Sequence, residues 1–136
     1  MKVYKSKYGK LSGTSYGEIY PAAWTLYKQV QARTKRQPYL RAQYFAKNKV
    51  FLNYFWHHMR QKSFKDRARR IRYMQAALDL IRHTPHTPLT KQDPGNPNVL
   101  LHRFAGQTKD GESYYVQIKE NKKTDRKDFI SVFPEQ

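Results

Sequence analysis

Apolar residues recur along this chain with two different periods, and the change falls in a proline-rich stretch that begins near residue 84. Before that stretch the spacing is helical. Pro21 stands where a first helical residue would, and Ala22, Trp24, Leu26, Tyr27 and Val30 follow it, which predicts a helix over about residues 21–33. Pro38 interrupts the pattern. Over residues 40–59, Tyr44, Phe51, Phe55 and Met59 recur at seven and four, with Phe45, Leu52 and Trp56 beside them. That spacing predicts a second helix with one broad apolar stripe, and Arg41, Lys47, Lys49 and Arg60 on its other face. Ser63, with Asp66 three residues on, has the form of a capping box and opens a third helix. Phe64, Ala68, Ile71, Met74, Ala77, Leu78 and Ile81 form its apolar side, and Pro85 and Pro88 end it.

Residues 84–98 hold four prolines and a glycine and read as a loop. The period then becomes two. Strands are expected at 99–104, 114–120 and 129–133, the first pair joined by a hairpin at Asp110-Gly111. The expected fold is therefore α+β in two layers: two or three N-terminal helices on a three-stranded antiparallel meander. Residues 1–17, polar and rich in Gly, Ser and Tyr, read as a flexible basic arm. Residues 18–136 form a single domain, with a helical layer over 20–82, the loop over 84–98 and the sheet over 99–134. Alternation turns Tyr114, Val116, Ile118, Ile130 and Val132 toward the helices. It leaves Tyr115, Gln117, Lys119, Phe129, Ser131 and Phe133 on an open face. One of His102 and Arg103 joins that face, and alternation alone does not decide which.

Charge changes the picture most. Residues 1–73 carry 18 of the 27 lysines and arginines but two of the ten acids, Glu18 and Asp66. A face so unbalanced repels itself unless an anion binds it, and a chain of phosphates is the leading candidate. The run Arg60, Lys62, Lys65, Arg67, Arg69, Arg70 and Arg72 is the expected contact, with RNA favoured over DNA. The absence of cysteine excludes disulfides and thiolate metal sites. No segment approaches a membrane span and no secretory signal is present, so a cytoplasmic protein without membrane contact is expected.

The five histidines lack ligand spacing, so neither a metal nor another cofactor is expected. There is no phosphate-binding glycine loop and no nucleophile elbow. The open sheet face beside a basic helical layer fits metal-independent RNA cleavage. That chemistry takes a base for the 2′-hydroxyl, cations for the crowded phosphorane and an acid for the leaving oxygen. His102 or Glu120 is the candidate base. Lys119 and Arg103 are candidates to hold the phosphate, and Ser131 to orient it. Tyr115, Phe129 or Phe133 is the candidate to stack on a base, with Gln117 beside them. His57 and His58, after Trp56, read as capping or surface residues.

The C-terminal half resembles a group of phage- and prophage-associated nucleases with the barnase–EndoU–colicin–RelE-like fold. The resemblance covers residues 69–134: a helix ending near Leu80-Ile81, a proline-rich loop, a strand through Leu101-His102-Arg103-Phe104, a strand Tyr114–Lys119 and a last strand Ile130-Ser131-Val132-Phe133-Pro134. His102 or Arg103, Lys119, Ser131 and Phe133 fit the places where that group often has its basic, hydroxyl and aromatic residues. Phe133 stands where a Tyr is more usual, so that position carries a ring without a phenol. The resemblance implies a toxin-like endoribonuclease with an acidic neutralising partner. The alternatives are a non-enzymatic nucleic-acid-binding module on the same basic helices, and a small protein that docks an acidic partner.

Overall fold

The computed structural model describes residues 1–135. In chain order the elements are β1 (Val3–Lys5), α1 (Tyr16–Ala32), β2 (Tyr39–Ala42), β3 (Asn48–Phe51), α2 (Asn53–Met59), α3 (Phe64–Ile71), α4 (Met74–His83), β4 (Leu89–Asp93), β5 (Asn96–Gln107), β6 (Ser113–Asn121) and β7 (Arg126–Pro134). The strands form one sheet in the order β1-β5-β6-β7-β3-β2, with β4 pairing the first part of β5. Two pairings are parallel, β1 with β5 and β3 with β7, and the others are antiparallel. The α+β class stands. The expected three-stranded meander under two or three helices is corrected to a mixed sheet of seven strands with four helices.

Three local features account for the difference. The stretch over residues 40–59, expected as one helix, is a β2–β3 hairpin followed by the short α2. Its turn uses Ala46 and Lys47 in the left-handed region, with φ of 53° and 68°, where neither glycine nor asparagine signals it. The expected third helix breaks at Arg72-Tyr73 into α3 and α4. The proline-rich stretch adds β4, which turns back on β5 through Pro94-Gly95.

Helix α4 lies at the centre of the core. Met74, Ala76, Ala77, Leu78, Asp79, Leu80 and Ile81 are all buried. The sheet closes tightly over it at one point. The Tyr114 ring crosses Gly106 on the neighbouring strand, and its hydroxyl donates to the Ala76 carbonyl at 3.0 Å. A Cβ on Gly106 would stand 2.4 Å from Tyr114 Cζ and 2.8 Å from Leu80 Cδ1, so only glycine fits there. Burial pushes the Tyr114 phenol well above its ordinary pKa.

The N-terminal segment, expected as a flexible arm, supplies β1 to the sheet and is tied to α4. The Tyr4 hydroxyl, the Ser6 hydroxyl and the Lys7 amide all donate to Asp79 Oδ2 at 3.0 Å, and His83 Nδ1 lies 3.0 Å from Oδ1. Burial alone would raise the Asp79 carboxyl, but the Lys7 amide, His83, Tyr4 and Ser6 together outweigh it and hold it below the usual range. Burial first, then the bond to Asp79, raises the Tyr4 phenol to about 12.

The expected start of the first helix at Pro21 is corrected: α1 begins at Tyr16, and Pro21 lies inside it. Ser15 caps it by accepting from the Glu18 amide, and Thr14 and Ser15 donate to the Glu18 carboxylate. Its Ile19, Ala23, Tyr27 and Val30 face the core. The Ser63–Asp66 cap of α3 is present as expected.

Candidate functional site

Strand pairing decides which side chains meet. Arg103 on β5 stands opposite Gln117 on β6, and Gln117 stands opposite Ser131 on β7. Ala105, Tyr115 and Phe133 form the next row on the same side, and Leu101, Lys119 and Asp128 the row beyond. This is the face turned away from the core, and Arg103 rather than His102 belongs to it; Ser131 on it is buried, corrected from the open position expected of it. The assignment of Phe129 to that face is corrected. A bulge in the β6–β7 pairing places Ile118 opposite Phe129 and Gln117 opposite Ser131, so Ile130 is the extra residue. Phe129 is therefore fully buried and stacks on Phe55 of α2, with ring centres 4.6 Å apart.

Helices α2 and α3 complete one side of the open face. Arg70 Nη1 donates to Ser131 Oγ at 2.8 Å, and its guanidinium lies over the Phe133 ring. Arg103 lies over both Tyr115 and Phe133, at 5.8 and 5.3 Å from the ring centres. Arg69, Arg70, Tyr115, Phe133, Pro134 and Glu135 line a hollow of ≈ 220 Å³. The Tyr115 hydroxyl donates to Glu135, and that bond raises its phenol above the ordinary value. Lys119 Nζ sits 5.7 Å from the Tyr54 ring, and Tyr54 stacks on His58 one helical turn later. Burial first, then the charges of Lys62 and Arg70, lowers the His58 pKa below its ordinary value.

His58, expected as a capping or surface residue, is half-buried and stacks on Tyr54. The signal that could have found it is the Tyr54–His58 spacing of four, which puts both on one side of α2.

His102 and Glu120, the expected bases, lie on the opposite face. His102 is buried opposite Ile118. Its Nε2 donates to Glu120 Oε1 at 2.8 Å, and Thr90 Oγ1 lies 2.8 Å from its Nδ1. Glu120 Oε2 in turn faces the buried Lys127 ammonium at 3.6 Å, which donates to Asp125 Oδ1 at 2.9 Å. Phe45 covers the group, its ring centre 5.2 Å from His102 and 5.4 Å from Lys127 Nζ. Each polar atom named here has its partner inside the fold, so this is a structural network.

The basic run divides in the same way. Arg67 donates to the carbonyls of Lys62 and Arg60 and closes the α2–α3 turn, while Arg72 donates to the Ala68 carbonyl. Arg69 and Arg70 both hold Asp66. Arg60 and Lys65 are exposed and Lys62 is half-buried. Among the described residues, no hydrogen bond or ion pair involves the side chains of these three.

No family model matches this chain, and no curated protein or solved structure matches it. Among the described residues, no group of three or more His, Cys, Asp or Glu is placed to hold a metal ion. No helix among them is long and apolar enough to cross a membrane.

Proposed function

We propose that this protein is a metal-independent, cytoplasmic ribonuclease that holds single-stranded RNA on the open face of its sheet and cleaves it there. The observation that carries the reading is the Arg70–Ser131 hydrogen bond with Arg70 and Arg103 both over the Phe133 ring, and Lys119 and His58 both against the Tyr54 ring nearby. Tyr115 and Phe133 offer two rings for base stacking, and Gln117 offers an amide to base edges. The Ser131 hydroxyl holds the Arg70 guanidinium in place, and a phosphate would meet that guanidinium beside Phe133.

The reaction balances with these groups. His58 takes the proton of a 2′-hydroxyl, and the 2′-oxygen attacks the adjacent phosphorus. Arg70 and Arg103 offset the charge that builds on the phosphorane. The bond from phosphorus to the 5′-oxygen breaks, and the Lys119 ammonium protonates the leaving oxygen. The products are a 2′,3′-cyclic phosphate and a 5′-hydroxyl. Kinship with the phage-associated nuclease group, and an acidic protein that covers the same cationic face, belong to this proposal. A nucleic-acid-binding module without chemistry is the second reading. It is favoured by the burial of His102, paired with Glu120 on the face opposite Arg103.

The test is a labelled single-stranded RNA incubated with the protein in excess EDTA, with analysis of the product ends. Cyclic phosphate ends that disappear in Arg103→Ala, with RNA binding retained, are expected. RNA that is bound but stays intact rules out the enzyme and leaves the second reading.

A further inference from the structure

The open face does not end at β7. Phe51 on β3 pairs in register with Asp128, which stands opposite Lys119. Tyr39 on β2 pairs with Phe51, and Arg41 pairs with Lys49. Paired residues share a face, so Phe51, Tyr39, Lys49 and Arg41 continue the surface that carries Arg103, Gln117 and Ser131. From β5 to β2 this surface spans four strand spacings, about 19 Å.

Its far end is a cleft of ≈ 740 Å³ with an unusual lining. Arg33, Lys35, Arg36, Lys49 and Arg126 contribute five cations and no acid is among the lining residues, while Tyr39 and Phe51 supply two rings. The rings and cations are already arranged together. Lys49 Nζ lies 4.7 Å and the Arg41 guanidinium 5.5 Å from the Tyr39 ring centre, and Arg126 lies 4.2 Å from that of Phe51. Tyr39 and Phe51 meet edge to face at 6.0 Å. The carboxylate between the two ends, Asp128, is held by Arg126 at 3.2 Å. Lys35 and Arg36 are exposed, and among the described residues neither side chain takes part in a hydrogen bond or ion pair.

We infer that this cleft is a second subsite for a single-stranded nucleic acid, several nucleotides along the same strand from the cleavage site. Two rings beside phosphate-sized cations fit a chain of alternating bases and phosphates better than an acidic protein, which has carboxylates but no succession of aromatic faces. The inference rests on RNA binding at the Arg103 end, and it adds a prediction of its own. A short oligonucleotide fills one end only, while a long one fills both and gains affinity and salt dependence.

Fluorescence anisotropy with 2′-O-methyl oligonucleotides of about 4 and about 12 nucleotides, which are not cleaved, separates the outcomes. The full chain should bind the 12-mer at least tenfold tighter than the 4-mer. Lys35→Ala combined with Arg36→Ala should weaken the 12-mer about tenfold, reduce its salt slope by roughly 1.4 for two lost phosphate contacts, and leave the 4-mer unchanged. Equal affinity for both lengths, or a loss shared equally by both, overturns the second subsite while the cleavage site stands. Failure of both lengths to bind overturns the first reading together with this one. Tighter binding of a polyglutamate of matched charge than of the 12-mer overturns it in favour of an acidic protein.

Discussion

His102 and Arg103 are neighbours on β5, and their side chains enter opposite worlds. His102 sits in a network that runs from Thr90 through Glu120 and Lys127 to Asp125, with Phe45 against His102 and Lys127 and the two ends, Thr90 and Asp125, exposed. Arg103 faces out, with two aromatic rings and no acid against it. The same residue types therefore serve two purposes a single peptide unit apart. A buried charge must be paired to be tolerated, so the inner network is spent on the fold. A cation set on rings keeps its charge available to an external phosphate.

Mutations on the two faces should separate activity from stability. The largest effect is expected on the open face. His58→Ala should slow RNA cleavage about 10²–10⁴-fold with little change in the melting temperature, as read by single-turnover kinetics and thermal melts. Because His58 is held below its ordinary pKa, the base persists into mild acid, and cleavage should decline only as pH falls below about 6.5. A rate already halved at pH 7 on the acid side contradicts that assignment.

Next in size is the inner face. Lys127→Ala leaves Glu120 without its cation and should cost about 3 kcal/mol in denaturant unfolding. His102→Ala should cost about 2 kcal/mol. Both should leave the cleavage rate per folded molecule unchanged, and a loss of rate without a loss of stability in His102→Ala would restore it as the base.

Asp79 sharpens the comparison, since it is an inner acid surrounded by donors. Asp79→Ala should cost about 2–3 kcal/mol and release β1 from α4, visible as faster amide exchange over residues 3–7. Its folded pKa lies below the unfolded one, so its contribution is complete above about pH 4 and is lost as pH falls through the folded value. Wild type should therefore lose more melting temperature than the Asp79→Ala variant between pH 5 and pH 3, taken as approximate bounds. The smallest effect is at the turn that carries Phe45 over the inner network. Ala46 has φ of 53°, and Ala46→Gly should stabilise by about 0.5 kcal/mol.

The three C-terminal strands and their hairpin were legible because long alternation and Asp110-Gly111, with Gly111 at φ 92°, are local signals. The sidedness of Tyr115, Gln117, Lys119, Ser131 and Phe133 was legible, since each follows from counting by two, whereas the burial of Ser131 beside Arg70 depends on a helix that no local pattern places there. The side of Phe129 was not legible, because one bulged residue reverses the count and nothing local marks it. The β2–β3 hairpin was hidden for a related reason. Strands of four residues show only two alternations, and the Tyr44, Phe51, Phe55 and Met59 spacing mimics a helix while belonging to a turn, a strand and a short helix. Arg67 and Arg72 looked like phosphate ligands because charge is visible in sequence, whereas the carbonyls they bond are not.

The most direct test is where RNA touches the protein. Irradiation with a single-stranded RNA containing 4-thiouridine, followed by peptide mapping, should place adducts on Tyr115 and Phe133, with Phe51 and Tyr39 joining only for the longer strand. Adducts confined to β4 or to the exposed side of α1, with the open face bare, would contradict the account.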